Sequence, residues 1–147
     1  RSDCGGLNGC HFSARVLYSI TMENERINAM NPVTLAYIGD AVFSLFVRTR
    51  MLEKAEYRSR ELNAKVNACV KATAQSAMLE AVLPVLSDEE KDVARRARNC
   101  HTPAKAKNAG LMDYKRATAL EALFGWLYLR GEIARLEELE TLCLCGI

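Results

Sequence analysis

Glycine and proline are scarce in this chain, at 8 and 3 of 147 residues. Turn-rich β architectures use both heavily. Their scarcity, beside abundant Ala, Leu, Glu, Arg and Lys, points to an all-α fold. No alternating strand pattern and no tandem repeat is visible. No apolar run is long enough to span a bilayer, and Arg1 to Ile20 lacks the sustained apolar stretch of a secretory signal, so a soluble protein is expected. The six cysteines (Cys4, Cys10, Cys69, Cys100, Cys143, Cys145) contain no C-x-x-C pair. Cys4, Cys10 and His11 are poorly spaced for zinc. Cys69 and Cys143 read as small apolar core residues, and a reducing, cytoplasmic compartment fits this usage. A large net charge is also missing: +2 is too small to imply a nucleic-acid partner by itself.

Half of the residues are hydrophobic and 26% are charged, values of a globular domain long enough to bury a real core. Residues 1–21, with Cys4, Gly5, Gly6, Gly9 and Cys10 close together, look foreign to the rest. They are expected to form a tail outside the fold, with residues 22–147 as one domain.

Two apolar runs organise that domain. Leu35 to Val47 carries one charge, Asp40; Ala117 to Leu129 carries one charge, Glu121. An unpaired buried carboxylate costs several kcal/mol or more, so such groups pair, protonate or bind metal. Asn31-Pro32 caps and opens a helix predicted to reach about Glu53, apolar nearly all round until Arg48 and therefore central. Gly39 within it costs roughly 1 kcal/mol against Ala, which implies a close neighbour beside Asp40. Helical stretches follow over Ser59 to Val70 and Lys71 to Leu86, the latter weakened at its end by Pro84. Ser87 to Glu90 is a capping box opening a helix to about Asn99. A second buried helix is expected from about Asp113 to Arg130, closed by Gly131. An amphipathic helix over Glu132 to Leu144 should turn Ile133, Leu136, Leu139, Leu142 and Cys143 inward.

Just before the second apolar run the charge is uneven. From Val93 to Arg116 there are seven Lys or Arg against one acid, Asp113. Two lone carboxylates in two buried helices suit a shared hard divalent cation, Mg²⁺ or Mn²⁺, which binds oxygen and keeps several waters. The alternative is that Asp40 or Glu121 pairs with a buried Arg.

The strings themselves resemble a known family. Leu35-Ala36-Tyr37-Ile38-Gly39-Asp40-Ala41-Val42 resembles the signature of the ribonuclease III endonuclease domain, and Thr118 to Gly125 resembles its second motif, whose Glu is a metal ligand. The match is closer to the mini-ribonuclease III branch. That branch shares Ala-Tyr-Ile-Gly-Asp-Ala, a Lys followed by Val, Ala and Gln (Lys65, Val70, Ala72, Gln75), Arg-x-Arg-Asn (Arg96 to Asn99) and the segment Tyr114 to Ala122. The larger enzymes carry acids at the positions of Ala36 and Thr118; the mini branch shares both losses, and it lacks a separate duplex-binding domain.

This resemblance implies a ribonuclease III-like helical fold and metal-assisted hydrolysis of double-stranded RNA, with Asp40 and Glu121 as catalytic metal ligands. It implies a homodimer, with large-subunit (23S) ribosomal RNA precursor as substrate. Without a binding domain, the catalytic domain must grip duplex phosphates itself. Lys65, Arg95, Arg96, Arg98, Lys105 and Lys107 are the candidate RNA contacts; Glu61 aligns loosely with an acid placed near the RNA. His101 reads as a loop residue, and Tyr37, Trp126 and Tyr128 as core. Two other classes compete: a non-catalytic helical RNA-binding module, and a helical interaction protein that uses its acidic last helix.

Overall fold

A computed structural model describes residues 22–54, 56–100 and 110–145. The described residues form helices and contain no strand, as the composition indicates. In chain order the α-helices are α1 (Asn24–Asn28), α2 (Pro32–Lys54), α3 (Ser59–Val70), α4 (Ala72–Val82), α5 (Asp88–Asn99), α6 (Leu111–Leu129) and α7 (Ile133–Cys143), with a 3-10 turn at Leu83–Val85.

The centre of the molecule is α6. Between Ala117 and Leu129 only Glu121 and Tyr128 escape full burial, because α2, α4 and α5 pack around it and α7 closes one side. Its end follows from Gly131, whose φ of 72° is the left-handed value that glycine adopts without strain. The Gly131 N–H then donates to the Tyr128 carbonyl and the Glu132 N–H to the Leu127 carbonyl, both at 3.0 Å, which satisfies the last turn and redirects the chain into α7.

Local chemistry sets the other boundaries. The Asn31 side chain accepts from the Val33 N–H at 2.9 Å, and Pro32 fills the first helical position of α2. Lys71, in an extended conformation, separates α3 from α4, so these are two helices. Pro84 lies in the 3-10 turn that ends α4. Ser87 and Glu90 form the full reciprocal capping box. The buried Glu90 carboxylate also accepts two hydrogen bonds from Arg135, at 2.8 and 2.9 Å, and Arg135 donates on to the Val85 carbonyl. This clip fastens α7 to the start of α5. Burial alone would raise the Glu90 carboxyl, but the hydrogen bonds from Arg135 and Ser87 and the Arg135 charge together hold it below its ordinary value.

Three expectations need correction. Leu35, Ala36, Val42, Phe43, Val47 and Met51 of α2 are buried, and the Phe43 ring meets Phe124 edge-on at 5.3 Å. The opposite face is not. Val33, Tyr37, Leu45 and Leu52 face solvent, Tyr37 being 79% exposed, so Tyr37 is no core residue and α2 is not covered all round. Asp40 shares that open side. In α7, Leu136, Leu139 and Cys143 are inside, but Leu142 is 41% exposed. The reason is common to all three. An apolar residue shows that a face can be buried, while the neighbours a single chain supplies decide whether it is. Trp126 is in the core as expected, and Tyr128 is partly buried against it.

Candidate metal centre

The site is made by two glycines. A Cβ placed on Gly39 of α2 would lie 1.6 Å from the Glu121 carbonyl oxygen and 2.8 Å from the Gly125 nitrogen of α6. A Cβ on Gly125 would lie 2.0 Å from the Leu35 carbonyl oxygen and 3.0 Å from the Gly39 nitrogen. Only with both side chains absent do the two helix backbones touch, and this is the close neighbour that a glycine inside α2 implied. The contact brings together the residues beside it: Asp40 follows Gly39, and Glu121 is the very residue whose carbonyl Gly39 meets.

The electrostatics show the pairing. Burial pushes the Glu121 carboxyl up from 4.5 to about 7, the negative charge of Asp40 pushes in the same direction, and the Gln75 amide opposes them. Asp40 is open to solvent and Glu121 is half-buried, so the pair lies at the surface of the helix packing rather than in a sealed core. No ion pair among the described residues involves either acid, which argues against the buried-Arg alternative.

The donor set fits a hard divalent cation. It is oxygen only, it is anionic, and the ionised form of Glu121 is penalised until a positive charge arrives. Among the described residues no group of three or more His, Cys, Asp or Glu converges. The candidate donors among the described residues are thus the two carboxylates, a set that suits a cation that retains waters. Ala36 is buried, and the Thr118 hydroxyl donates back to the Tyr114 carbonyl at 3.0 Å, so neither position adds a ligand.

Gln75 is the site residue that motif reading left among the family strings without a role. It is 1% exposed, and its Nε2 has no hydrogen-bond partner among the described residues. A signal was present in the sequence. Gln75, next to the buried Ser76, stands at helical spacing from the apolar Met78, Leu79 and Val82.

The basic candidates are dispersed. Lys65 is exposed on α3, its ammonium 5.0 Å from the Tyr57 ring centroid. Arg95 and Arg96 both pair with Asp92, and Arg96 donates to the Asn28 carbonyl at 3.3 Å, so much of its charge is engaged within the fold. Arg98 and Glu61 face solvent. His101, Lys105 and Lys107 lie outside the described residues. No helix among those described is long and apolar enough to cross a membrane.

Comparison with known proteins adds an independent line. Residues 33–132 match the model of the ribonuclease III domain. The chain is similar to mini-ribonuclease 3 of Symbiobacterium thermophilum, 44% identical over 107 residues, spanning 73% of this chain and 82% of the relative. It is similar also to mini-ribonuclease 3 of Brevibacillus brevis, 41% identical over 112 residues, 76% of this chain and 84% of the relative. A crystal structure of a protein from Fusobacterium nucleatum superposes with a TM-score of 0.77 at 30% identity, covering 85% of this chain and 100% of that one.

Proposed function

The chain belongs to the ribonuclease III family, in its mini-ribonuclease 3 branch, and on that premise we propose that it is a Mg²⁺-dependent endoribonuclease cutting double-stranded RNA. The carrying observation is the meeting of Asp40 and Glu121 across the Gly39–Gly125 contact. Mn²⁺ has the same oxygen preference and serves as an alternative cation.

A bound cation here would supply Lewis-acid stabilisation of charge on a phosphate oxygen and a lowered pKa for its water. Asp40 and Glu121 would hold it. The exposure of Asp40 leaves that carboxylate accessible to a duplex from outside, where it also accepts a hydrogen bond from the attacking water. Glu121, raised to about 7 without a partner charge, becomes a full anion when a cation is bound. The exposed cations Lys65, Arg95 and Arg98, with Arg96, Lys105 and Lys107, serve the phosphate backbone, a sequence-independent grip that suits duplex RNA. The physiological substrate we assign is the 23S ribosomal RNA precursor, and the compartment the cytoplasm; both rest on family membership.

The protein acts as a homodimer in this reading. Val33, Tyr37, Leu45 and Leu52 recur along one face of α2 as a bare apolar stripe, of the kind that marks an interface. The stripe shares its helix with Asp40, so pairing across it brings two sites near one duplex, one for each strand. Leu45→Glu is expected to convert the dimer to a monomer in sedimentation analysis and to lose double-strand cutting. A parent protein that sediments as a monomer would remove this part of the reading.

The direct test is incubation of the purified chain with a labelled RNA duplex, with Mg²⁺ and with EDTA. Discrete cleavage with Mg²⁺ and none with EDTA is expected. Tight duplex binding without cleavage in either arm would favour a non-catalytic RNA-binding module instead.

A further inference from the structure

We propose that Gln75 is a positioning residue for the cation site: from the interior face of α4 its amide nitrogen donates to one Glu121 oxygen and so fixes the carboxylate with its other oxygen toward Asp40.

Three observations carry this. Gln75 is 1% exposed, which is rare for an amide, and it stands among the buried residues of α4 with Ser76, Met78, Leu79 and Val82. That helix packs on α6, the helix bearing Glu121. Its Nε2 is buried with no hydrogen-bond partner among the described residues, although an orphaned buried donor ordinarily costs about 1–3 kcal/mol. Packing alone would be served better by Leu or Met at this place. A neighbouring group able to accept from Nε2 is the Glu121 carboxylate, on which the amide already acts. When Glu121 is held as an anion by a cation, the amide gains a charged acceptor and the carboxylate loses its freedom to rotate away. Groups hydrogen-bonded behind a metal ligand act in this way: they orient the ligand, and their removal weakens metal binding by about 10–100-fold.

This inference rests on the metal reading of Asp40 and Glu121, so the test measures cation binding without RNA. The unfolding temperature of the full chain is followed as Mg²⁺ is added, for the parent and for Gln75→Met, which keeps length and volume but removes the amide. The parent is expected to be stabilised by Mg²⁺ along a saturable curve. The Met variant is expected to match or exceed the parent's unfolding temperature without Mg²⁺, because an orphaned donor is gone. Its half-saturating Mg²⁺ concentration should rise about tenfold or more. In cleavage, kcat at a fixed low Mg²⁺ should fall while KM for duplex stays unchanged, and excess Mg²⁺ should recover much of the loss. In a Glu121→Gln background the same change should have no further effect on Mg²⁺ response. A Met variant with the parent's Mg²⁺ midpoint overturns the role of Gln75 and leaves the cation site standing; a parent with no Mg²⁺ response overturns both. Should the Met variant not fold, Gln75→Asn, which withdraws the amide by one methylene, is expected to show the same rise in midpoint, and an unchanged midpoint there overturns the proposal equally.

Discussion

Glu121→Gln is expected to abolish Mg²⁺-dependent cutting of duplex RNA and at the same time to stabilise the metal-free protein at neutral and alkaline pH. The two effects have one cause. In the folded chain the Glu121 carboxyl titrates at about 7, above its ordinary 4.5, through burial first and the Asp40 charge second. A raised carboxyl pKa means that, between these values, the unfolded chain has released the proton while the folded chain still holds it. Stability is then greatest below about 4.5 and declines as pH rises to about 7, after which the folded state carries the full penalty. A difference of about 2.5 pH units at 1.36 kcal/mol each makes that penalty about 3 kcal/mol. Gln carries no such charge. Metal-free Glu121→Gln should therefore unfold several degrees higher than the parent at pH 8, and the gap should close as pH falls toward 4.5.

Mg²⁺ should reverse the order, stabilising the parent and leaving the variant unmoved. The catalytic loss follows from charge stabilisation worth several kcal/mol, a fall in rate on the order of a thousandfold or more. Asp40→Asn should lose cutting to a similar extent, since it removes the other half of the cation's anionic environment. The measurements are thermal unfolding across pH with and without Mg²⁺, and cleavage of a labelled duplex. Cutting by Glu121→Gln at the parental rate would exclude this pair as the catalytic centre.

Gly39→Ala is expected to be severely destabilising, although intrinsic helix propensity favours Ala over Gly by about 1 kcal/mol. The added Cβ would sit 1.6 Å from the Glu121 carbonyl oxygen. A side chain could swing aside at little cost, but this obstacle is the backbone of a helix buried on nearly every side. The helices must separate, opening the core where Phe43 packs on Phe124. Overpacking typically costs about 1–3 kcal/mol where side chains can yield. Against backbone the expected cost is at the upper end or beyond, a large share of the roughly 5–15 kcal/mol that holds a domain folded. Activity should vanish even where the variant folds, because the displaced atom belongs to Glu121 itself. Gly125→Ala, with its Cβ 2.0 Å from the Leu35 carbonyl, should behave alike. Urea unfolding provides the check. An Ala variant as stable as the parent would mean that α2 and α6 do not cross at these glycines.

Much of this was readable in the one-dimensional chain, because it depends on groups a few residues apart. The Asn31-Pro32 start of α2, the Ser87–Glu90 capping box and the Gly131 stop each follow from backbone groups that a nearby side chain or conformation satisfies. The isolation of Asp40 and Glu121 in apolar runs was legible too, as was the need for a close contact at Gly39. That the two acids share a site was suggested by their isolation in two buried helices and strengthened by the family resemblance, not by any local pattern. They stand 81 positions apart (121 less 40), and no local pattern spans that interval.

What folding alone decided was which surface each apolar residue meets. Helical periodicity gives the angle of a side chain about its own axis, but not which helices will stand around that axis. Tyr37 and Leu45 therefore lie bare on the helix that carries Asp40, Leu142 turns outward, and Gln75 ends in the interior against Glu121. Burial is a property of several segments packed together, whereas sequence order records only the neighbours of each residue along one of them.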